Sequence, residues 1–203
     1  MIARAGVLFL FVACDSAKTA HDGSLDEKAE GVGGKTTERE LYNPQAISTE
    51  GLTTKEFDLN RDQKPDVWKF YKLGEKEEVL VRKEMDINFD GGVDVWRFYN
   101  DGGELVRENL DLDFDGKVDV TNFFNEGIIV RKESDRNFDG APDMWIYYYQ
   151  GKIVRKEQDT NYDGRVDYWE YYEGDEIDRI GIDRDHDGEV DEWLRKTAGA
   201  KEE

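Results

Sequence analysis

Cysteine occurs once in this 203-residue chain, at Cys14, so no internal disulfide can cross-link it. Histidine occurs twice, at His21 and His186, and no Ser/His/Asp set, zinc-ligand spacing or glycine-rich phosphate loop accompanies it. The chain therefore reads as a non-enzyme. Basic residues are scarce, 28 against 48 acidic ones, for a net charge of −20. That excess repels nucleic acid and anionic headgroups, which removes both as expected partners. Long hydrophobic runs are missing too: the stretch Ala5 to Ala13 is too short to span a bilayer. So acidic a composition often means disorder, but aromatics make up 12% and recur at fixed places.

What is present is a repeated acidic motif. The pattern D-x-[DN]-x-D-x-x-x-D occurs six times, and the last three intervals are 24 residues each. Loop 1 offers Asp58, Asn60, Asp62 and Asp66, and loop 2 offers Asp86, Asn88, Asp90 and Asp94. Loop 3 offers Asp111, Asp113, Asp115 and Asp119; loop 4 offers Asp135, Asn137, Asp139 and Asp143. Loop 5 offers Asp159, Asn161, Asp163 and Asp167, and loop 6 offers Asp183, Asp185, Asp187 and Asp191. Position 6 is Gly91, Gly116, Gly140, Gly164 or Gly188, but Gln63 in loop 1, whose turn then needs a costlier backbone. Ordinary turns use one or two such residues. Four oxygen donors at fixed spacing, with a turn glycine, are the hard-ligand set that Ca²⁺ takes, and the chain is expected to hold about five to six ions. Loops 3 and 6, with four carboxylates, should bind tightest, and loop 1 should be the weakest site or an inactive end cap.

An EF-hand would need a bidentate Glu at position 12 and flanking helices. Position 12 is Lys69, Arg97, Asn122, Ile146, Glu170 and Leu194, and the flanks read as strands. The nine-residue form instead resembles the calcium loop of FG-GAP and VCBS-type repeats, from Asp58 to about Trp193. The resemblance implies that the position-9 Asp closes the ion's shell and leads into a strand. Those families form propeller blades from longer, four-stranded repeats. Since 24 residues hold only two strands, the propeller does not carry over.

Alternating aromatic and β-branched residues predict a strand after each loop: Val67–Tyr71, Val95–Tyr99, Val120–Phe124, Met144–Tyr149 and Tyr168–Tyr172. Trp stands at position 11 in five copies (Trp68, Trp96, Trp145, Trp169, Trp193), with Thr121 in the third. A glycine turn follows, then a return strand through Leu80, Leu105, Ile129 or Ile153. An Arg (Arg82, Arg107, Arg131, Arg155, Arg179) precedes each later loop by four residues, either stacked on the aromatic ladder, paired with a carboxylate, or solvated. The expected fold is all-β: tandem hairpins forming an elongated antiparallel meander or β-stack, with the loops along one edge. Whether the sheet is open, coiled or closed is not set by the sequence.

Residues 1–13, with Arg4 before the apolar run, read as a secretory signal. Cys14 after Phe11-Val12-Ala13 resembles a bacterial lipobox, which implies acylation of Cys14. Residues 14–50, rich in Gly, Ser, Thr, Lys and Glu, read as a flexible tether, 51–195 as the repeat domain and 196–203 as a disordered tail. The expected protein is a calcium-binding lipoprotein of the bacterial cell envelope, in the outer membrane, periplasm or at the surface. Its lipid anchor is acylated Cys14, and it serves as a calcium-rigidified structural or interaction module with a protein or polysaccharide partner. The alternative is a carbohydrate-binding or adhesive protein using exposed aromatic rows. Six divalent ions would offset more than half of the net charge. Without them the loops should loosen, because site assembly and folding are linked.

Overall fold

The computed structural model describes residues 48–75 and 77–195. The signal segment, Cys14, His21, most of the tether and the tail lie outside the described residues. Twelve strands follow one another: β1 (Thr53–Phe57), β2 (Val67–Leu73), β3 (Glu78–Met85), β4 (Val95–Tyr99), β5 (Leu105–Leu110) and β6 (Val120–Asn125), then β7 (Ile128–Ser134), β8 (Met144–Tyr149), β9 (Lys152–Gln158), β10 (Tyr168–Glu173), β11 (Glu176–Ile182) and β12 (Glu192–Arg195). They form one antiparallel sheet in chain order, β1 to β12, and its two ends do not meet. The sheet is an open meander. No helix occurs among the described residues.

Chain order fixes where everything lies. Each odd-to-even connection is an acidic loop, so all six loops share one edge of the sheet, and the short turns share the other. The turn edge uses the residues that tight hairpins require. Glu126-Gly127 and Gln150-Gly151 have φ of 51, 75, 50 and 78°, the double positive φ of a type I′ turn.

Domains usually bury a core between two layers, but here substantial contact is made between consecutive strands alone. Among the described residues the buried apolar side chains are only Val67, Phe70, Val95, Trp96 and Val120. Stability has to come from files of side chains running across the strands. One file alternates aromatic and cation. In register it runs Phe70, Arg82, Phe98, Arg107, Phe123, Arg131, Tyr147, Arg155, Tyr171, Arg179. Arg107, Arg131 and Arg155 lie 4.2, 4.1 and 4.0 Å from the ring centres of Phe98, Phe123 and Tyr147. Stacking and pairing coexist: Arg82 also pairs with Glu84, Arg131 with Glu133 at 3.0 Å and Arg155 with Glu157 at 3.2 Å. Each such stack is worth roughly 0.5–2 kcal/mol, more as it is desolvated.

A bulge recurs in every repeat. The register shifts after Phe70, Phe98, Phe123, Tyr147 and Tyr171, leaving Val81, Val106, Val130, Val154 and Asp178 without an opposite residue. Each extra residue immediately precedes the Arg of the file. The bulge thus resets the alternation so that the Arg joins the aromatic face.

Candidate metal-binding loops

The loops hold their shape through their own carboxylates. In loop 2, Asp86 accepts the amides of Phe89 (2.6 Å) and Gly91 (2.8 Å). Asn88 accepts the amide of Asp90, and Asp90 that of Gly92. Asp94 accepts those of Ile87 (2.7 Å) and Asn88 (3.2 Å). The bond from the position-6 amide to the position-1 Asp is made in all six loops. So are the position-5 amide to position-3 side chain and the position-7 amide to position-5 Asp. Between the backbone bonds at its two ends, the loop thus satisfies its amides with side-chain oxygens.

Such a loop bends sharply. Position 4 lies at positive φ in all six copies: Arg61, Phe89, Phe114, Phe138, Tyr162 and His186, at 61–68°. Position 6 lies there as well, a glycine in five copies and Gln63 at φ 74° in loop 1, where the strain expected from the sequence is found. Sequence reasoning missed position 4. The signal was an aromatic recurring at Phe89, Phe114, Phe138 and Tyr162, all of them exposed.

Adjacent loops are tied together. The amide of each later position-1 Asp donates to the carbonyl of the preceding position-9 Asp, from Asp86 to Asp66 through Asp183 to Asp167, at 2.7–2.9 Å. This stacking buries a row of acids along the edge: Asp66, Asp86, Asp94, Asp111, Asp119, Asp135, Asp143, Asp159, Asp167 and Asp183. Position 5 stays exposed in every loop, and position 3 in all but loop 2, where Asn88 is half-buried.

Carboxylate oxygens of Asp111, Asp113 and Asp115 lie within 4.8 Å of one another, as do those of Asp183, Asp185 and Asp187. Both triplets could hold a metal ion. They are the loops with Asp at position 3, whereas loops 1, 2, 4 and 5 place Asn60, Asn88, Asn137 and Asn161 there as a neutral oxygen donor. Position 9 stands outside the triplets. In every loop but the fifth its Oδ2 faces the amides of positions 2 and 3, as Asp119 does with Leu112 (2.6 Å) and Asp113 (3.3 Å); in loop 5 Asp167 accepts both the amide and the hydroxyl of Thr160.

Crowding leaves an electrostatic mark. Burial holds the Asp111 carboxyl above its ordinary range, and the nearby Asp115 charge adds to this. Burial also raises Asp119, assisted by the Asp113 and Asp111 charges, and Asp143, assisted by Asp135 and Asp139. At the exposed positions the sign reverses: the Lys117 ammonium lowers Asp115, and the Gly92 amide lowers Asp90. The set fits a hard divalent cation. Each carboxylate oxygen that accepts an amide keeps a second lone pair, and a cation would relieve the repulsion. His186 fills no ligand position; its exposed ring reaches back to loop 5, with Nδ1 2.9 Å from the side-chain Nδ2 of Asn161.

No family model and no curated protein matches the chain. Solved structures that share local similarity with it include the following three. One, described as accessory secretory protein 1, 2 and 3 from Streptococcus pneumoniae, is 13% identical over 66% of this chain and 21% of that one, with a TM-score of 0.34. S. aureus TarM in complex with fondaparinux, α-GlcNAc-glycerol and UDP is 11% identical over 61% and 20%, and a second TarM structure 10% over 63% and 22%, both at a TM-score of 0.28. The chain spans about a fifth of the length of these proteins. At such TM-scores their ligands say nothing of this one.

Proposed function

We propose that this protein is a calcium-binding, lipid-anchored module of the bacterial cell envelope, in which ions stiffen a single-layer sheet that presents or spaces an interaction surface. The observation that carries this reading is the buried row of position-1 and position-9 aspartates, with carboxylate oxygens from positions 1, 3 and 5 gathered in loops 3 and 6. Burial penalises the charge of Asp111, Asp119 and Asp143 in that row, a cation would offset it, and a sheet with so small a core has little else to compensate. In loop 3, Asp111, Asp113 and Asp115 would hold the ion and Asp119 would hold the loop amides. When bound, the ion supplies positive charge at the loop. The anchor rests on Cys14 after the Phe-Val-Ala sequence.

The test is thermal unfolding of the full chain in millimolar Ca²⁺, in Mg²⁺ and in EDTA. A midpoint raised by many degrees in calcium, and less in magnesium, is the expected result. An equal midpoint in all three would reduce the loops to self-capped turns.

A second reading, a carbohydrate-binding protein, is favoured by one observation: Phe89, Phe114, Phe138 and Tyr162 are exposed at equivalent positions of successive loops. They form a regular row suited to stacking on sugar faces. Retention on immobilised polysaccharide that Phe114→Ala abolishes, with unchanged unfolding, would establish it.

A further inference from the structure

The two ends of the sheet are complementary halves of its interior pairing. In the interior, each strand entering a loop is flanked on both sides by strands leaving one, in the same register. Glu84 lies opposite Trp68 on one side and Trp96 on the other, and Glu157 lies opposite Trp145 and Trp169. Among the described residues β1 is an entering strand with a leaving strand on one side only, so Trp68 is the one residue opposite Glu56 in the register. Among the described residues β12 is a leaving strand with an entering strand on one side only, so Gly181 is the one residue opposite Trp193 in the register. The absence of a Cβ at Gly181 makes room for this ring, since an added one would lie 3.1 Å from it. Trp193 is nevertheless 47% exposed, whereas Trp96, flanked on both sides, is 1% exposed.

We infer that β12 of one copy pairs antiparallel with β1 of a second copy, continuing the meander head to tail. The interior register then sets Glu192 opposite Phe57, Trp193 opposite Glu56, Leu194 opposite Lys55 and Arg195 opposite Thr54. Trp193 acquires the glutamate that Trp68 and Trp145 have. Charges match on a diagonal, where cross-strand neighbours still interact: Arg195 comes beside Glu56, while Glu192 and Lys55 keep their pairs with Arg184 and Glu78. Pairing of β1 with a second β1 centred on Lys55 sets like charges together instead. Charged edge strands normally discourage association; here the charges select one register. The loop edge agrees. Asp58 and Asp191 are the members of the position-1 and position-9 rows that stay exposed, and this docking places them against each other as Asp86 lies against Asp66. The contact is heterologous, so copies add head to tail and the series can pass beyond the dimer.

The experiment is sedimentation of the full chain over a wide concentration range in millimolar Ca²⁺. Wild type gives species that grow beyond the dimer. Glu56→Arg or Arg195→Glu alone weakens association several-fold, because each sets like charges side by side, and both leave the circular dichroism unchanged. An equimolar mixture of the two variants restores association, since each end of one then matches the opposite end of the other. A wild-type chain that stays monomeric, a series that stops at the dimer, or variants that associate like wild type would each overturn the inference. So would a monomer that begins to associate only when residues 196–203 are removed, which would make that segment the occupant of the β12 edge.

Discussion

Loops 2 to 5 and the two terminal loops share one scheme of amide-to-side-chain bonds, yet they differ in burial. Asp58 at one end and Asp191 at the other are exposed, while their counterparts in the interior are buried. A loop's conformation is therefore written in its own nine residues, whereas the environment of its carboxylates is supplied by the next loop. That is the logic of a one-dimensional array, in which each unit is completed by its neighbour.

The sharpest way to break this comparison is to remove the position-9 acid at both kinds of site. Asp119→Ala leaves the amides of Leu112 and Asp113 without their acceptor in a part-buried setting. An unsatisfied buried donor costs about 1–3 kcal/mol, so the expected loss is about 2–3 kcal/mol. Asp191→Ala frees the amides of Arg184 and Asp185, which are exposed, so water replaces the acid and the loss stays under about 1 kcal/mol. Denaturant unfolding in calcium measures both. Equal losses would mean that neighbour burial decides nothing.

A smaller effect tests the turn. Gly116 has φ 87° and open space where a Cβ would stand, so Gly116→Ala carries only the backbone penalty, about 1 kcal/mol. Loop 1 already bears that penalty at Gln63, so Gln63→Gly should stabilise it by about 0.5–1 kcal/mol. A neutral Gly116→Ala, read from the same denaturant curves, would show that the positive φ is not maintained in solution.

Much of this was legible in the sequence, for a physical reason. Strands flanking acidic loops carry a period-2 pattern that leaves few alternatives, and β4 and β8 run over the residues expected, Val95–Tyr99 and Met144–Tyr149. The Arg at −4 announced itself by recurrence, though the sequence left open whether it stacks or pairs; Arg131 does both. The bulges escaped notice although their trace was present, since Leu80-Val81 and Ile129-Val130 set two apolar residues side by side and so break strict alternation. Burial of Asp86 and Asp119 could not be read from any single loop, because it is created by stacking between copies. The role of position 9 in holding amides escaped for a related reason: spacing shows that oxygens converge, but not which way each one points.

The smallest effect lies within loop 3, between its buried first position and its exposed fifth. Asp111 titrates above the ordinary carboxyl value of 3.8 because burial penalises its charge. The folded state thus holds that proton more tightly than the unfolded state does. Asp111 opposes folding at neutral pH, and the opposition is relieved as pH falls through its folded pKa toward 3.8. Asp115 titrates below 3.8 through its bond to Lys117; its contribution is present above that value and is lost as pH falls further. In metal-free protein the two groups thus act in opposite senses as pH falls, the buried acid ceasing to oppose folding before the exposed one loses its contribution. Carboxyl carbon NMR separates them residue by residue, and added calcium should draw Asp111 below its ordinary value by favouring the ionised form. Should Asp111 titrate normally in metal-free protein, stacking does not desolvate it, and the contrast between interior and terminal loops loses its electrostatic basis.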